Sequence, residues 1–474
     1  MNPAEIDCLV VGAGLAGLTA ARALEGAGIE ALVLEARDRV GGRTVNQAIG
    51  GGNVVELGGQ WVGPGQDRIL ELIDDLGLST FPTYGGGRSL FERRGRVRSH
   101  RGTIPKLNPI SLAEVARVMG KINRMAAKVD PEAPWDQPEL SAWDRVSFDS
   151  WLRRNVRTRA ARDLMRLAIE AVWAAEPEDV SLLHVMFYVR SAGSIELLLD
   201  TEGGSQESRV AGGTQLISTA IAEALSSSVR LETAARRIDR DGDRITVEAE
   251  DLSSGEVLRF GARRIIVAIP PALAGRLDFR PALPAARDGL TQRMIQGSVV
   301  KAMAVYPEPF WRKAGLNGRA VSADGPVSVV FDNSPPDGSR GVLLAFLEGA
   351  AARRAADLSQ VERRALVLEC LVRLFGAIAG EPEEFLDKAW AADEWSRGCY
   401  GGFMPTGAWV SHGAALRAPI GRIHWAGAET SSRWAGYMEG AVRSGLRAAG
   451  EVIDAGGAGT GPPGATDDGS IRFR

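Results

Sequence analysis

The N-terminal stretch "IDCLVVGAGLAGLTAARALEGAGIEALVLEA" limits the possible folds more than any other part of the chain. An apolar run ends at Gly12, Gly14 and Gly17, gives way to a small-residue helical pattern, and returns as a second apolar run ending at Glu35. Strand, tight turn, helix and buried strand make a βαβ unit, whose two strands must lie parallel. The glycines suit a tight turn, close approach of a pyrophosphate, and packing of helix on strand. The helix N-terminus, with Leu15 and Ala16 in its first turn, offers free N–H groups and a positive dipole end to a phosphate. Glu35 lies 18 residues past Gly17, where a carboxylate accepts ribose hydroxyls, and Ala36 and Arg37 follow it. A structural glycine turn is the bland alternative, and the strand–turn–helix–acid context disfavours it.

At 474 residues the chain has room for two or three domains. A net charge of −3 gives no reason to expect nucleic acid or an anionic membrane as a partner. No apolar stretch is long enough to span a bilayer, and no basic leader precedes the first strand, so a cytoplasmic protein is expected. Of three cysteines, Cys8 and Cys370 lie in apolar runs and read as buried core, whereas Cys399 sits among glycines in "WSRGCYGGFMP". No disulfide framework or metal-ligand spacing is present, and His100, His184, His412 and His424 stand in no catalytic constellation.

The order of patterns implies an α/β fold. A Rossmann-like nucleotide domain draws on three segments, 1–85, 205–290 and 391–455. An α+β substrate domain with an antiparallel or mixed sheet is inserted twice, as 86–204 and 291–390. Residues 456–474, rich in Gly, Pro and Asp, read as a disordered tail.

Further motifs narrow the ligand. "RVGGRT" places Gly42 and Arg43 after the second strand, a second pyrophosphate element that FAD uses and NAD does not need. "VELGGQWVGP" adds Gly58 and Gly59, suited to backbone lying against a flat ring, followed by Gln60 and Trp61. Lys301 interrupts the apolar strand "VVKAMAVY", where an ammonium is costly unless it is paired or functional. Tyr400 and Tyr437, two of only five tyrosines, fall inside two Gly-rich C-terminal motifs. An aromatic pair there offers an apolar slot with electron-rich faces to an amine.

With "GAGLAG…RVGGRT", "ELGGQWVGPGQDRIL", "VKAMAVYPEPFW", "WSRGCYGGFMP" and "HWAGAETSSRWAGYMEGAV" in view, the chain resembles the flavin amine oxidases of the monoamine oxidase type from Ile6 to about Ile453. The resemblance implies FAD as cofactor and a small-molecule amine and O2 as partners, with a homodimer allowed. It implies a thioether from Cys399 to the flavin, a substrate cage of Tyr400 and Tyr437, and a lysine, Lys301, reaching flavin N5 through a water. It also assigns Ala235, Trp395, Gly427, Glu429, Gly436 and Met438 to the cofactor site, with helix capping left open for Glu429. By the same likeness Val172, Leu198, Gln206, Val329, Leu343 and Phe346 line the amine pocket, with Val329 implying a wide cavity. The expected reaction is oxidation of primary amines with apolar substituents. Three rivals stay open, one of them a flavin-bearing partner or scaffold protein with no turnover. An L-amino-acid oxidase would need a buried arginine such as Arg190 or Arg209, and a polyamine oxidase would need an acid such as Glu196 or Asp200.

Overall fold

A computed structural model describes residues 6–226 and 228–457. The N-terminal unit forms as its sequence requires: strand Ile6–Val11, helix Leu15–Gly26 and strand Ala31–Leu34, with the two strands parallel in register Cys8 to Ala31. Alternation along the first strand sends Cys8 and Val10 toward the helix and Leu9 and Val11 into a second core on the other face. Burial on both faces is why this strand reads as an unbroken apolar run. Two glycines are sterically obligatory here. Gly12 has a φ of +102°, and a Cβ on Gly17 would lie 1.9 Å from the Gly12 carbonyl oxygen.

These strands belong to an eight-stranded sheet whose order runs from Val229–Arg230 through Ala31–Leu34, Ile6–Val11, Val257–Val267, Arg244–Asp251 and Thr233–Asp241 to Asp278–Arg280. Strand Ile423–Trp425 adds in parallel to Val257–Val267, so the C-terminal region returns to the N-terminal sheet. The closing helix Met438–Gly457 then packs on Leu15–Gly26, where Gly445 lets the backbones touch: a Cβ there would sit 2.3 Å from the Ala16 oxygen. Of the expected tail, 456–474, residues 456 and 457 instead end this helix, and the rest lies outside the described residues.

A second, seven-stranded sheet has the order Glu384–Ala389, Val299–Tyr306, Gly341–Glu348, Val329–Asp332, Leu316–Ser322, Arg88–Arg93, Arg96–His100. All pairings are antiparallel except Leu316–Ser322 with Arg88–Arg93, so the sheet is mixed. One face packs on helix Gln360–Phe375, and the other packs Met303, Val329, Phe331, Leu344 and Phe346 with Ile49, Val55 and Leu57. Helices Pro109–Ala126, Arg159–Trp173 and Leu182–Ala192 close the remaining side with their own core. Among the described residues no helix is long and apolar enough to cross a membrane.

Candidate active site

One cavity of about 720 Å³ runs from the first glycine turn to the face of the seven-stranded sheet. Its nucleotide end is made of backbone. Helix Leu15–Gly26 begins after Gly14 with no side-chain cap and no acidic residue in its first turn, so its leading N–H groups remain available to an anion. A Cβ on Gly14 would meet nothing within 4 Å, because the residue faces the open cavity. Glu35 accepts hydrogen bonds from the Ala13 N–H (2.8 Å) and the Arg37 N–H (3.0 Å), fixing its carboxylate at the cavity wall. Ala235 lines the cavity beside a bulge in strand Thr233–Asp241. An uncapped helix start, an acid at the second strand end and a long wall of small residues fit an FAD.

Arg43 is anchored from behind. Its guanidinium donates to both oxygens of Glu429 (2.6 and 3.0 Å) and to the Tyr400 carbonyl (2.9 Å). Glu429 also accepts the Gly402 N–H at 3.0 Å. Burial alone would raise the Glu429 pKa, but the Arg43 charge and hydrogen bonds overcome it and leave the acid below its ordinary value. The same pairing lifts Arg43 against the pull of its own burial.

Beyond Arg43 the wall changes from backbone to side chains. Lys301 is 3% exposed, and its ammonium donates to the Gly58 carbonyl at 2.7 Å and to the Gln60 side-chain oxygen. It lies 5.8 Å from the Trp61 ring and 5.7 Å from the Phe346 ring. Burial lowers its pKa to about 7, with Glu56 opposing. Glu56 itself is spent on Arg209 in a buried pair (2.6 Å) whose guanidinium also reaches the Asn333 and Ser334 carbonyls. Arg209 is therefore committed to structure, while Arg190 is exposed.

Tyr400 and Tyr437 both line this end of the cavity, together with Cys399. The Tyr437 ring lies 6.0 Å from Tyr188 and 5.0 Å from Trp434, while Tyr400 meets Phe346 edge-on at 6.0 Å. The Tyr400 hydroxyl donates to Glu348 at 2.9 Å, and Ser328 donates to the same carboxyl. Burial raises the Glu348 pKa to about 8, against those two hydrogen bonds. Cys399 is buried, and burial raises its thiol to about 11, partly offset by Arg43 and Lys301. Cys8 and Cys370 sit in other cores, and all three thiols are free.

The cavity wall includes the expected Gly12, Gly14, Leu15, Ala16, Glu35, Ala36, Arg37, Gly42, Arg43, Gly58, Gly59, Gln60, Trp61, Ala235, Trp395, Cys399, Gly427, Gly436 and Met438. On the amine side it includes Lys301, Tyr400, Tyr437, Val172, Leu198, Gln206, Val329 and Phe346. Three expectations are corrected. Leu343 faces the helix side of the seven-stranded sheet, because it is an odd three residues from Phe346 and strand neighbours alternate faces. Gly17 packs helix on turn and does not reach the cavity, because its Cα abuts the Gly12 backbone. Glu429 neither lines the cavity nor caps the following helix; it is held behind the wall by Arg43.

Among the wall residues that the sequence did not single out are Tyr188, Arg319 and Glu348. Glu348 ends a strand otherwise wholly apolar, the same signal that marks Lys301. Arg319 and Tyr188 carry no comparable mark, since their position depends on the packing of distant elements. Glu196 and Asp200 also reach the cavity wall, and Glu196 accepts a hydrogen bond from the Asn123 side chain at 2.8 Å.

Residues 15–453 match the family described as flavin containing amine oxidoreductase. The flavin-containing monoamine oxidase AofH of Mycobacterium tuberculosis is 43% identical over 450 residues, 95% of this chain and 97% of that protein. Among solved structures, a putrescine oxidase superposes with a TM-score of 0.90 at 36% identity, covering 95% of this chain and 99% of the other. Cyclohexylamine oxidase from Brevibacterium oxydans gives a TM-score of 0.89 at 32% identity over the same shares. The protein is a member of the flavin-containing amine oxidoreductases, built on their FAD-binding fold to oxidise amines.

Proposed function

We propose that this enzyme oxidises primary amines bearing apolar substituents to imines, which hydrolyse to an aldehyde and ammonia, while O2 is reduced to hydrogen peroxide. The observation that carries this reading is the joint presence of Tyr400, Tyr437 and Lys301 around one apolar end of a cavity whose other end suits a dinucleotide. FAD, when bound, supplies the acceptor for the hydride equivalent leaving the carbon next to nitrogen. Gly14, Glu35, Gly42 and Arg43 would hold its nucleotide, and Gly58 and Gly59 its ring system.

The remaining work belongs to the chain. Tyr400 and Tyr437 flank and orient the amine nitrogen, Tyr400 being steadied by Glu348 and Phe346. The amine must react as its neutral base, and an apolar wall containing the Lys301 cation disfavours its ammonium form. With a pKa near 7, Lys301 can hold or release a proton at Nζ in the range where oxygen is reduced. Val172, Leu198 and Val329 give the substituent an apolar berth, and the Gln206 Oε1 atom is buried there without a partner.

Cys399 is proposed to carry the flavin as a thioether. It is the cysteine on the cavity wall, whereas Cys8 and Cys370 are core residues. Acid-precipitated protein should then stay yellow, and its intact mass should exceed the chain by one FAD. A colourless pellet would contradict the tether without touching the reaction. For the reaction itself, peroxide and aldehyde should form in equal amounts from an arylalkylamine, and Lys301→Met should slow flavin reoxidation more than amine binding. Reoxidation unchanged in Lys301→Met, with amine binding weakened, would contradict the assigned lysine role. The likeness to a putrescine oxidase favours a diamine as the second reading, but Glu196 is already engaged by Asn123 and Asp200 lies in the field of Arg319.

A further inference from the structure

The amine end of the cavity contains a cation that the proposed oxidation does not use. Arg319 lies on strand Leu316–Ser322, whose buried Gly318, Ala320 and Ser322 alternate with the cavity-lining Arg319 and Val321. Among the described residues no carboxylate comes within ion-pair distance of it, so this guanidinium, enclosed by protein, has no fixed counter-charge. Its hydrogen bonds go to the Thr201 hydroxyl and the Leu199 carbonyl, both at 3.3 Å. Charge-assisted bonds are normally ~2.7–2.9 Å, so most of the donor capacity of the fork is poorly used. The acids sharing this wall do not complete it. Glu196 is held by Asn123, and Glu348 by Ser328 and Tyr400. Asp200 acts on Arg319 through space without reaching it, opposing the lowering of the guanidinium pKa by burial.

Ring contacts link Arg319 to the cage. Arg319 is 5.6 Å from the Phe331 ring, Phe331 is 6.2 Å from Phe346, and Phe346 is 6.0 Å from Tyr400. A chain of two aromatic rings, Phe331 and Phe346, thus connects Arg319 to the cage. A carboxylate separated from the amine by several carbons or an aryl ring would follow this ring-lined wall to the guanidinium.

From this geometry we propose that Arg319 is a second anchor in the amine cavity, receiving a carboxylate at the far end of the substrate and disfavouring a second ammonium there. The proposal rests on the amine-oxidation reading and deepens it. A planar guanidinium can take a carboxylate through two parallel hydrogen bonds, which a lone amine substituent cannot supply.

The test uses three amines of matched length in the holoenzyme: hexylamine, aminocaproate and hexamethylenediamine. In Arg319→Gln the kcat/KM ratio of aminocaproate to hexamethylenediamine should fall by about 30-fold or more, through KM rather than kcat. Arg319→Lys, which keeps the charge, should retain most of that ratio. Equal loss for all three amines would show a strut for the Leu199–Thr201 segment and overturn the anchor, as would an unchanged ratio. Binding of aminocaproate and hexamethylenediamine, read by perturbation of flavin absorbance under argon, separates the two levels. Charge-selective binding lost in Arg319→Gln, with no turnover of any amine, would sink the oxidation reading and keep the anchor. Hexylamine turnover without charge-selective binding would sink the anchor alone.

Discussion

The two ends of the cavity treat charge in opposite ways. At the nucleotide end two wall arginines are paired: Arg37 with Asp393 at 2.6 Å and Glu35 at 3.4 Å, and Arg43 with both oxygens of Glu429. At the amine end Lys301, Arg319 and Glu348 are enclosed, and among the described residues none has an ion-pair partner. Pairing fixes a charge state and with it a shape, which suits a permanently bound dinucleotide. Lys301 and Glu348 stay close to titration, with values of about 7 and about 8. They are free to respond to a ligand that comes and goes.

Breaking the paired end should have the largest effect. Glu429→Leu leaves Arg43 buried without its counter-ion and frees the Gly402 N–H, a loss of about 3–5 kcal/mol by comparison with other broken buried pairs. Urea denaturation should show that loss, together with poor flavin retention. A cost near zero with flavin retained would mean that the pair does not hold the wall.

At the unpaired end the expected effects fall on turnover. Tyr400→Leu and Tyr437→Leu should each lower kcat/KM on the order of 10- to 100-fold while flavin stays bound. If the two rings orient nitrogen as one unit, the double variant should lose less than the two single costs combined. Strict additivity would make them independent packing residues.

A smaller effect should separate charge from packing at Glu348. Its pKa is raised on folding from the ordinary carboxylate range to about 8, so the folded protein binds the extra proton between those values. Stability from this group is full in acid and declines as the pH rises from about 4.5 to 8, by at most about 1.4 kcal/mol per pH unit. Glu348→Gln should remove that part of the slope. Denaturation midpoints of wild type and variant that move in parallel between pH 5 and 8 would contradict the raised value.

The same contrast explains what could be read from the chain. The nucleotide end depends on local backbone, so Gly12, Gly14 and Glu35 declare it within one βαβ unit. Even there the division of labour was finer than motif reading allows, since Glu429 holds Arg43 and does not meet the cavity. The amine end is assembled from segments hundreds of residues apart, and only residues that contradict their local pattern stand out. Lys301 in an apolar strand is one, and Glu348 deserved the same reading. Leu343 was excluded by strand alternation from sharing a face with Phe346. Arg319 and Tyr188 follow the patterns of their elements, and tertiary packing alone brings them to the wall.

Anaerobic mixing of the yellow holoenzyme with a panel of alkylamines and arylalkylamines tests the central claim most directly. The flavin should bleach with neutral monoamines, with a rate that saturates with amine concentration, and recover its colour on admission of air. A flavin that no amine in the panel bleaches, in protein that is folded and fully loaded, would contradict the account.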